Sequence, residues 1–250
     1  MTIDLSPSQL PSAPLTGDSL KVAHAMALLW TYRPRTTLVN ALRLLGYKRG
    51  DGRAFTAENI KELQRGLRDH ELLREHPVRQ GYFRLTAGLR SALYRELLAE
   101  GDWQALEGVL LELAGVRPGH ARSYYWPVYD REATIALVRL NLLGGAPVEV
   151  LHSLKTRIEQ SMDWHGMLKE AVLSDFDPET FVRIVPEWRW GLTLEAINGL
   201  TSAWDDTLLP VAEWALRLVG NQRDAAPAYI RLGLAELLLN RGQRERALAL

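Results

Sequence analysis

The chain has 250 residues, 47% of them apolar, and its 30 Lys/Arg balance 30 Asp/Glu to a net charge of zero. One or two packed domains are expected at that length. With no cysteine, a disulfide framework, thiolate catalysis and thiolate metal sites are excluded, which fits a reducing interior. No apolar run reaches the roughly 18 residues of a membrane span, and the first residues lack the basic and apolar regions of a secretory signal.

The zero hides an asymmetry. Residues 18–95 carry 15 Lys/Arg against 7 Asp/Glu, whereas residues 96–250 carry 15 against 22. A basic module attracts phosphate backbones and an acidic one repels them. The chain therefore reads as bipartite, one part for nucleic acid and the other for a different partner. Pro7, Pro11 and Pro14 mark residues 1–17 as an extended, mobile tail. A first domain is expected over 18–100 and a second over 101–250.

In chain order, residues 19–31 predict a helix with Leu20, Ala23, Ala27 and Trp30 at helical spacing. Pro34 interrupts. Thr36 is expected to cap a second helix with Leu38, Leu42 and Leu45 inward and Gly46 as its stop. The loop YKRGDGRAF follows, carrying Lys48, Arg49 and Arg53. Thr56 is expected to cap a third helix, TAENIKELQRGLRDH, with Ile60, Leu63 and Leu67 inward. Its other face carries Glu58, Asn59, Lys61, Glu62, Gln64, Arg65 and Arg68. Two β-like runs, LLREH and GYFRLT, are joined across PVRQ, and Thr86 can begin a fourth helix.

Helix, helix, helix, hairpin resembles the winged helix-turn-helix family over about residues 19–95. The resemblance is carried by TTLVNALRLLG, TAENIKELQRGLRDHELL and REHPVRQGYFRLT. One departure is the long, glycine-rich loop before the third helix, a turn often tight in that family. The resemblance implies a third helix in the major groove and a hairpin wing on the backbone or minor groove. By position, it directs Asn59, Lys61, Glu62, Arg65 and Arg68 on the third helix toward duplex DNA, with Arg79, Gln80 and Arg84 on the wing. Lys48, Arg49 and Arg53 would meet phosphates, which position a protein without reading sequence. Winged helices also serve as protein-binding modules, and charged helix faces are usually solvated. A protein partner without DNA therefore stands as the alternative.

From Trp103 onward the pattern is helical almost throughout. Candidate helices include DWQALEGVLLELAG, DREATIALVRLNLLGG, PVEVLHSLKTRIEQ, DPETFVRIVPEW, LTLEAINGL, DDTLLPVAEWALRLVG and APAYIRLGLAELLLNRG. Short connectors predict an irregular array or solenoid, and the last pair resembles a tetratricopeptide unit. The expected fold class is thus mainly α: a winged helix followed by a helical array. Seven of the eight tryptophans lie in the second part. Tyr124, Tyr125 and Trp126 form an aromatic run that either anchors a protein partner or plugs a join between packed elements. Trp188 and Trp190, flanking Arg189, could stack single-stranded bases, but their acidic surroundings argue against that and favour a packing role.

No GxxxxGK[ST] or GxGxxG phosphate loop is present, the six histidines form no HExxH pair, and no GxSxG elbow occurs. Asp175, Asp177, Asp205 and Asp206 stand where helices begin, so capping explains them. Neither a cofactor nor a metal is expected. The expected role is a non-catalytic, cytoplasmic, nucleoid-associated accessory region. The winged helix would engage double-stranded DNA, and the array a protein partner or a downstream catalytic domain. Ala247, Leu248 and Leu250 end the sequence on an apolar face, which predicts that the natural protein continues. Such a pairing resembles the N-terminal part of a large bacterial Swi/Snf-type helicase-like ATPase, although no motor motif occurs in these residues. The remaining alternatives are a protein-interaction scaffold and a transcriptional regulator with a helical sensor domain.

Overall fold

The computed structural model describes residues 15, 17–100, 102–115, 130–160, 162–221 and 226–250. It is mainly α, with thirteen α-helices and one small antiparallel sheet of three strands among the described residues. The chain divides into two compact units: residues 1–140 with 160–162, and residues 141–159 with 163–250.

Unit 1 runs α1 (Gly17–Leu29), β1 (Arg33–Pro34), α2 (Arg35–Leu44), α3 (Ala57–Asp69), β2 (Leu73–Glu75), β3 (Tyr82–Leu85), α4 (Ala87–Glu100), α5 (Trp103–Leu113) and the start of α6 (Arg131–Leu143). Helix α1 is its centre. Val22, Ala23 and every residue from Ala25 to Leu29 are buried, because α2, α3, α4 and β3 all pack on it. Its polar residues Asp18, Lys21 and His24 recur at intervals of three and stay half-buried along one side.

Helix α1 ends at Trp30, whose φ of 61° is left-handed. That conformation costs a residue with a Cβ about 1–2 kcal/mol. Its surroundings hold it there. The Trp30 carbonyl accepts from Arg90 Nη1 at 2.6 Å. The Arg90 and Arg139 guanidinium carbons lie 4.0 and 3.2 Å from the Trp30 ring centroid, and Tyr94 meets it edge-on at 5.7 Å.

Pro34 does not simply interrupt the chain. Residues 33–34 form a short strand paired with β3, giving the sheet order β1-β3-β2. Proline is tolerated on an edge strand because no donor is needed on its outer side. Pro34 is also the residue before α2, so Thr36 lies inside the helix and does not cap it, and no side chain does. Gly46 does close α2: its φ is 70°, and the Tyr47 N–H reaches back to the Leu42 carbonyl at 2.9 Å. Positive φ carries no Cβ penalty at glycine.

Arg33 is only 5% exposed. Its Nη1 donates to both oxygens of Asp130, at 3.1 and 2.9 Å, and Asp130 also accepts from the Ala133 N–H at 3.0 Å. Burial pushes the Asp130 carboxyl up, but the Arg33 charge and these hydrogen bonds outweigh it and hold its pKa below the ordinary value.

Unit 2 contains α7 (Val148–Glu159), α8 (Trp164–Leu168) running into a π-helical turn at Lys169–Leu173, α9 (Pro178–Phe181), α10 (Pro186–Ser202), α11 (Leu209–Asn221), α12 (Ala228–Asn240) and α13 (Arg244–Leu248). The two segments expected as separate helices, DPETFVRIVPEW and LTLEAINGL, do not break where expected. Pro186 takes the first turn of α10, which then runs unbroken to Ser202, a position where proline's missing N–H costs nothing. Asp177 and Asp205 do cap, each accepting a backbone N–H at the start of a helical turn. An aromatic cluster forms around Trp214, with Phe181 at 5.1 Å, Trp190 at 5.9 Å and Phe176 at 6.2 Å between ring centroids. Helices α10 and α12 approach closely at Gly233, where a Cβ would meet Ile197 Cγ2 at 3.3 Å.

Candidate nucleic-acid interface

Helix α3 is the element on which the predicted contacts depend. A reciprocal capping box starts it. The Thr56 hydroxyl accepts from the Asn59 N–H, and Asn59 Oδ1 accepts from the Thr56 N–H, both at 3.3 Å. Asn59 Oδ1 also accepts from the Thr56 hydroxyl at 2.8 Å and from Arg49 Nη1 at 3.2 Å. The Asn59 carbonyl oxygen is therefore committed to the start of the helix. Arg49, which also lies 3.4 Å from Asp51, ties the preceding loop to the first turn of α3. Arg53 and Lys48 in that loop are exposed.

The inward face of α3 differs from expectation at one residue. Ile60 and Leu67 are buried, but Gln64, expected outward, is 1% exposed, and Leu63 is half-buried. Gln64 is accommodated because its Oε1 accepts from Arg35 Nε at 2.8 Å, which offsets much of the desolvation of the amide. On the outward face, Lys61 pairs with Glu58 at 3.3 Å and Arg68 with Glu75 at 3.4 Å. Arg68 also lies 5.3 Å from the Phe83 centroid. Glu62 and Arg65 are exposed, with no ion-pair partner among the described residues. Gly66 is exposed too, and a Cβ there would meet nothing within 4 Å.

The hairpin adds a second basic element. Its register sets Leu73 opposite Leu85, Arg74 opposite Arg84 and Glu75 opposite Phe83. Leu73, Phe83 and Leu85 are buried, so the pleat turns Arg74 and Arg84 to the other face. Like charges directly opposite each other destabilise a strand pair. Arg84 is partly accommodated by the Tyr32 ring, 4.4 Å from its guanidinium. Arg74 escaped the sequence reading, although the apolar–polar alternation through Leu73 and Arg74 was the available signal.

The turn between β2 and β3 is internally braced. His76 Nδ1 accepts from the Val78 and Arg79 N–H groups at 3.1 and 3.0 Å, and Glu75 Oε1 accepts from the Gly81 N–H at 3.1 Å. Val78 stands 84% exposed on this turn. Arg79 pairs with Glu132 at 3.0 Å and lies 5.7 Å from the Tyr82 centroid. Gln80 is exposed.

The loop, α3 and the hairpin are thus linked end to end: Arg49–Asn59 joins the first pair and Arg68–Glu75 the second. Asn59 and Arg68 stand nine residues apart on α3, which separates these links by about 14 Å along the helix. Lys48, Arg53, Arg65 and Arg74 carry no ion-pair partner among the described residues. Arg33 and Arg90, counted in the basic half, are interior and contribute little outward field.

No protein-family model matches the chain, and no curated protein or solved structure matches it either. Its own geometry is what bears on function. Tyr124, Tyr125 and Trp126 lie outside the described residues. Among the described residues, no group of three or more His, Asp or Glu could hold a metal ion, and no helix is long and apolar enough to cross a membrane.

Proposed function

We propose that unit 1 is a winged helix that binds duplex DNA through α3 and the β2–β3 hairpin. On this reading the protein is a non-catalytic accessory region of a larger nucleic-acid-processing protein. The observation that carries it is the loop–α3–hairpin run of surface cations, bridged at both ends, in an element order of helix, strand, helix, helix, hairpin. The sheet order β1-β3-β2 suits the same family. Arg65 on α3 would reach base edges or phosphates, and Arg74 and Arg84 would flank the backbone as the wing. The exposed Gly66 lets backbone approach a phosphate with no Cβ in the way.

Several cations expected at the interface already have carboxylate partners, so about four phosphate contacts are realistic. Affinity for a duplex should then fall on the order of a hundredfold between roughly 50 and 200 mM salt. Fluorescence anisotropy of the whole 250-residue chain on labelled duplex, across a salt series, tests this. Binding that ignores salt, or no binding at low salt, ends the proposal.

The second unit supports a separate reading as a protein-binding helical array. Tyr229, Leu232 and Leu239 are 48, 71 and 53% exposed on α12. Their spacings of three and seven put them on one face.

A further inference from the structure

We propose that a cavity in unit 2 takes the guanidinium of an arginine side chain presented by a partner protein. The inference deepens the reading of this unit as protein-binding and rests on it. The cavity measures about 210 Å³ and lies among α7, α8 and α10. Ligand pockets for whole small molecules run from about 300 Å³ upward, so this volume suits one long side chain.

Two indoles form a corner of the wall. Trp164 and Trp188 have centroids 5.9 Å apart with ring planes at 76°, and both line the cavity. Aromatic faces attract cations, guanidinium more often than ammonium.

Helix α10 supplies the charge. Glu187, Gly191 and Glu195 all line the cavity and follow one another at intervals of four residues, so they form one stripe, each about 6 Å from the next. Two carboxylates bracket a residue without a side chain. Gly191 is unusual in its helix. Packing explains Gly199, whose Cβ would meet Leu208 Cδ1 at 2.5 Å, whereas a Cβ at Gly191 would meet nothing within 4 Å. A glycine inside a helix weakens it relative to alanine. At Gly191 the space left open adjoins the cavity that the residue lines.

Within the unit, imidazoles are the groups that meet the two carboxylates. His165 Nδ1 lies 2.9 Å from Glu195 and His152 Nε2 lies 3.7 Å from Glu187. Lys155, which also lines the cavity, lies 3.6 Å from Glu159, a carboxylate outside it. A planar fork matches a pair of carboxylates beside a flat ring better than a compact ammonium does.

The test is isothermal titration of the whole chain with N-acetyl-arginine methylamide. The lysine analogue and the neutral citrulline analogue serve as comparisons. The arginine probe should bind one-to-one with a Kd of about 1 mM, within the efficiency expected of a ligand this small. Citrulline should bind at least tenfold more weakly, and lysine more weakly than arginine. Gly191→Leu fills the open space and should abolish binding while leaving the circular-dichroism melt unchanged or raised. Glu195→Gln should weaken binding about tenfold. Equal binding of citrulline, stronger binding of lysine, or retained binding in folded Gly191→Leu overturns the inference. The probe reads the cavity alone. A chain that ignores it yet docks a partner through the α12 face loses this site and keeps the proposed array. A chain that binds it only when Glu187 and Glu195 are both carboxylates supports the site even if the α12 face proves inert.

Discussion

Trp30 in unit 1 and Trp214 in unit 2 are buried in different company. In unit 1 guanidinium groups cover aromatic rings: Arg90 and Arg139 lie over Trp30, and Arg35 and Arg68 lie near Phe83. In unit 2, Trp214 is surrounded by Phe181, Phe176 and Trp190. Cation–π and aromatic pairs are of similar strength, each about 0.5–2 kcal/mol. Their vulnerability differs. Removing the Trp214 ring leaves a cavity, whereas removing the Trp30 ring also strips a partner from the buried charges of Arg90 and Arg139. The contrast shows that part of the excess positive charge in residues 18–95 works inside the fold.

The largest test of this contrast compares Trp30→Ala with Trp214→Ala. We expect losses of about 5 and about 3 kcal/mol respectively, read from urea unfolding. Equal losses would erase the distinction. Next is Asp130→Asn, which leaves buried Arg33 without its counter-charge and should cost about 2 kcal/mol at neutral pH. Because the folded-state pKa of Asp130 is depressed, its contribution is fully present above the ordinary carboxylate value. It fades as pH falls through the lower folded value. The gap between wild type and Asp130→Asn should therefore close on acidification, and a gap that stays constant with pH contradicts the assigned ion pair.

Outward-facing arginines should behave differently from interior ones. Arg65→Glu and Arg74→Glu should each weaken duplex binding about tenfold, or about 1.4 kcal/mol, and lower the salt slope by about one; the unfolding midpoint should stay nearly unchanged for Arg65→Glu and rise slightly for Arg74→Glu, which then faces Arg84 with opposite charge. Loss of stability without loss of binding would move these residues to the structural class. The smallest effect sharpens the same line. Gly66→Ala should stabilise the protein by about 1 kcal/mol yet reduce duplex affinity, because the new methyl group would stand where backbone approaches phosphate.

Legibility followed the range of the interaction. The start of α3 could be read from Thr56 because its partner, Asn59, lies three residues away, and Gly46 marked the end of α2 for the same local reason. The hairpin was visible as two short apolar and aromatic runs. Strand β1 was hidden, since a two-residue strand ending in proline exists only through its pairing with β3. The inward turn of Gln64 depends on Arg35, 29 residues earlier, and the burial of Arg33 on Asp130, 97 residues later. No window of sequence contains either pair. Helix α8 is five residues long, too short to display a period. The corner of Trp164 and Trp188 that it helps build was equally out of reach.

The facing pair Arg74 and Arg84 has a further consequence. Two like charges directly opposite each other weaken a ladder, so an anion bound beside them would strengthen it. Inorganic sulfate or short polyphosphate should slow amide exchange at Leu73, Phe83 and Leu85, while chloride at equal ionic strength should not. The hairpin would then be stiffest when a polyanion lies along it and most readily frayed without one.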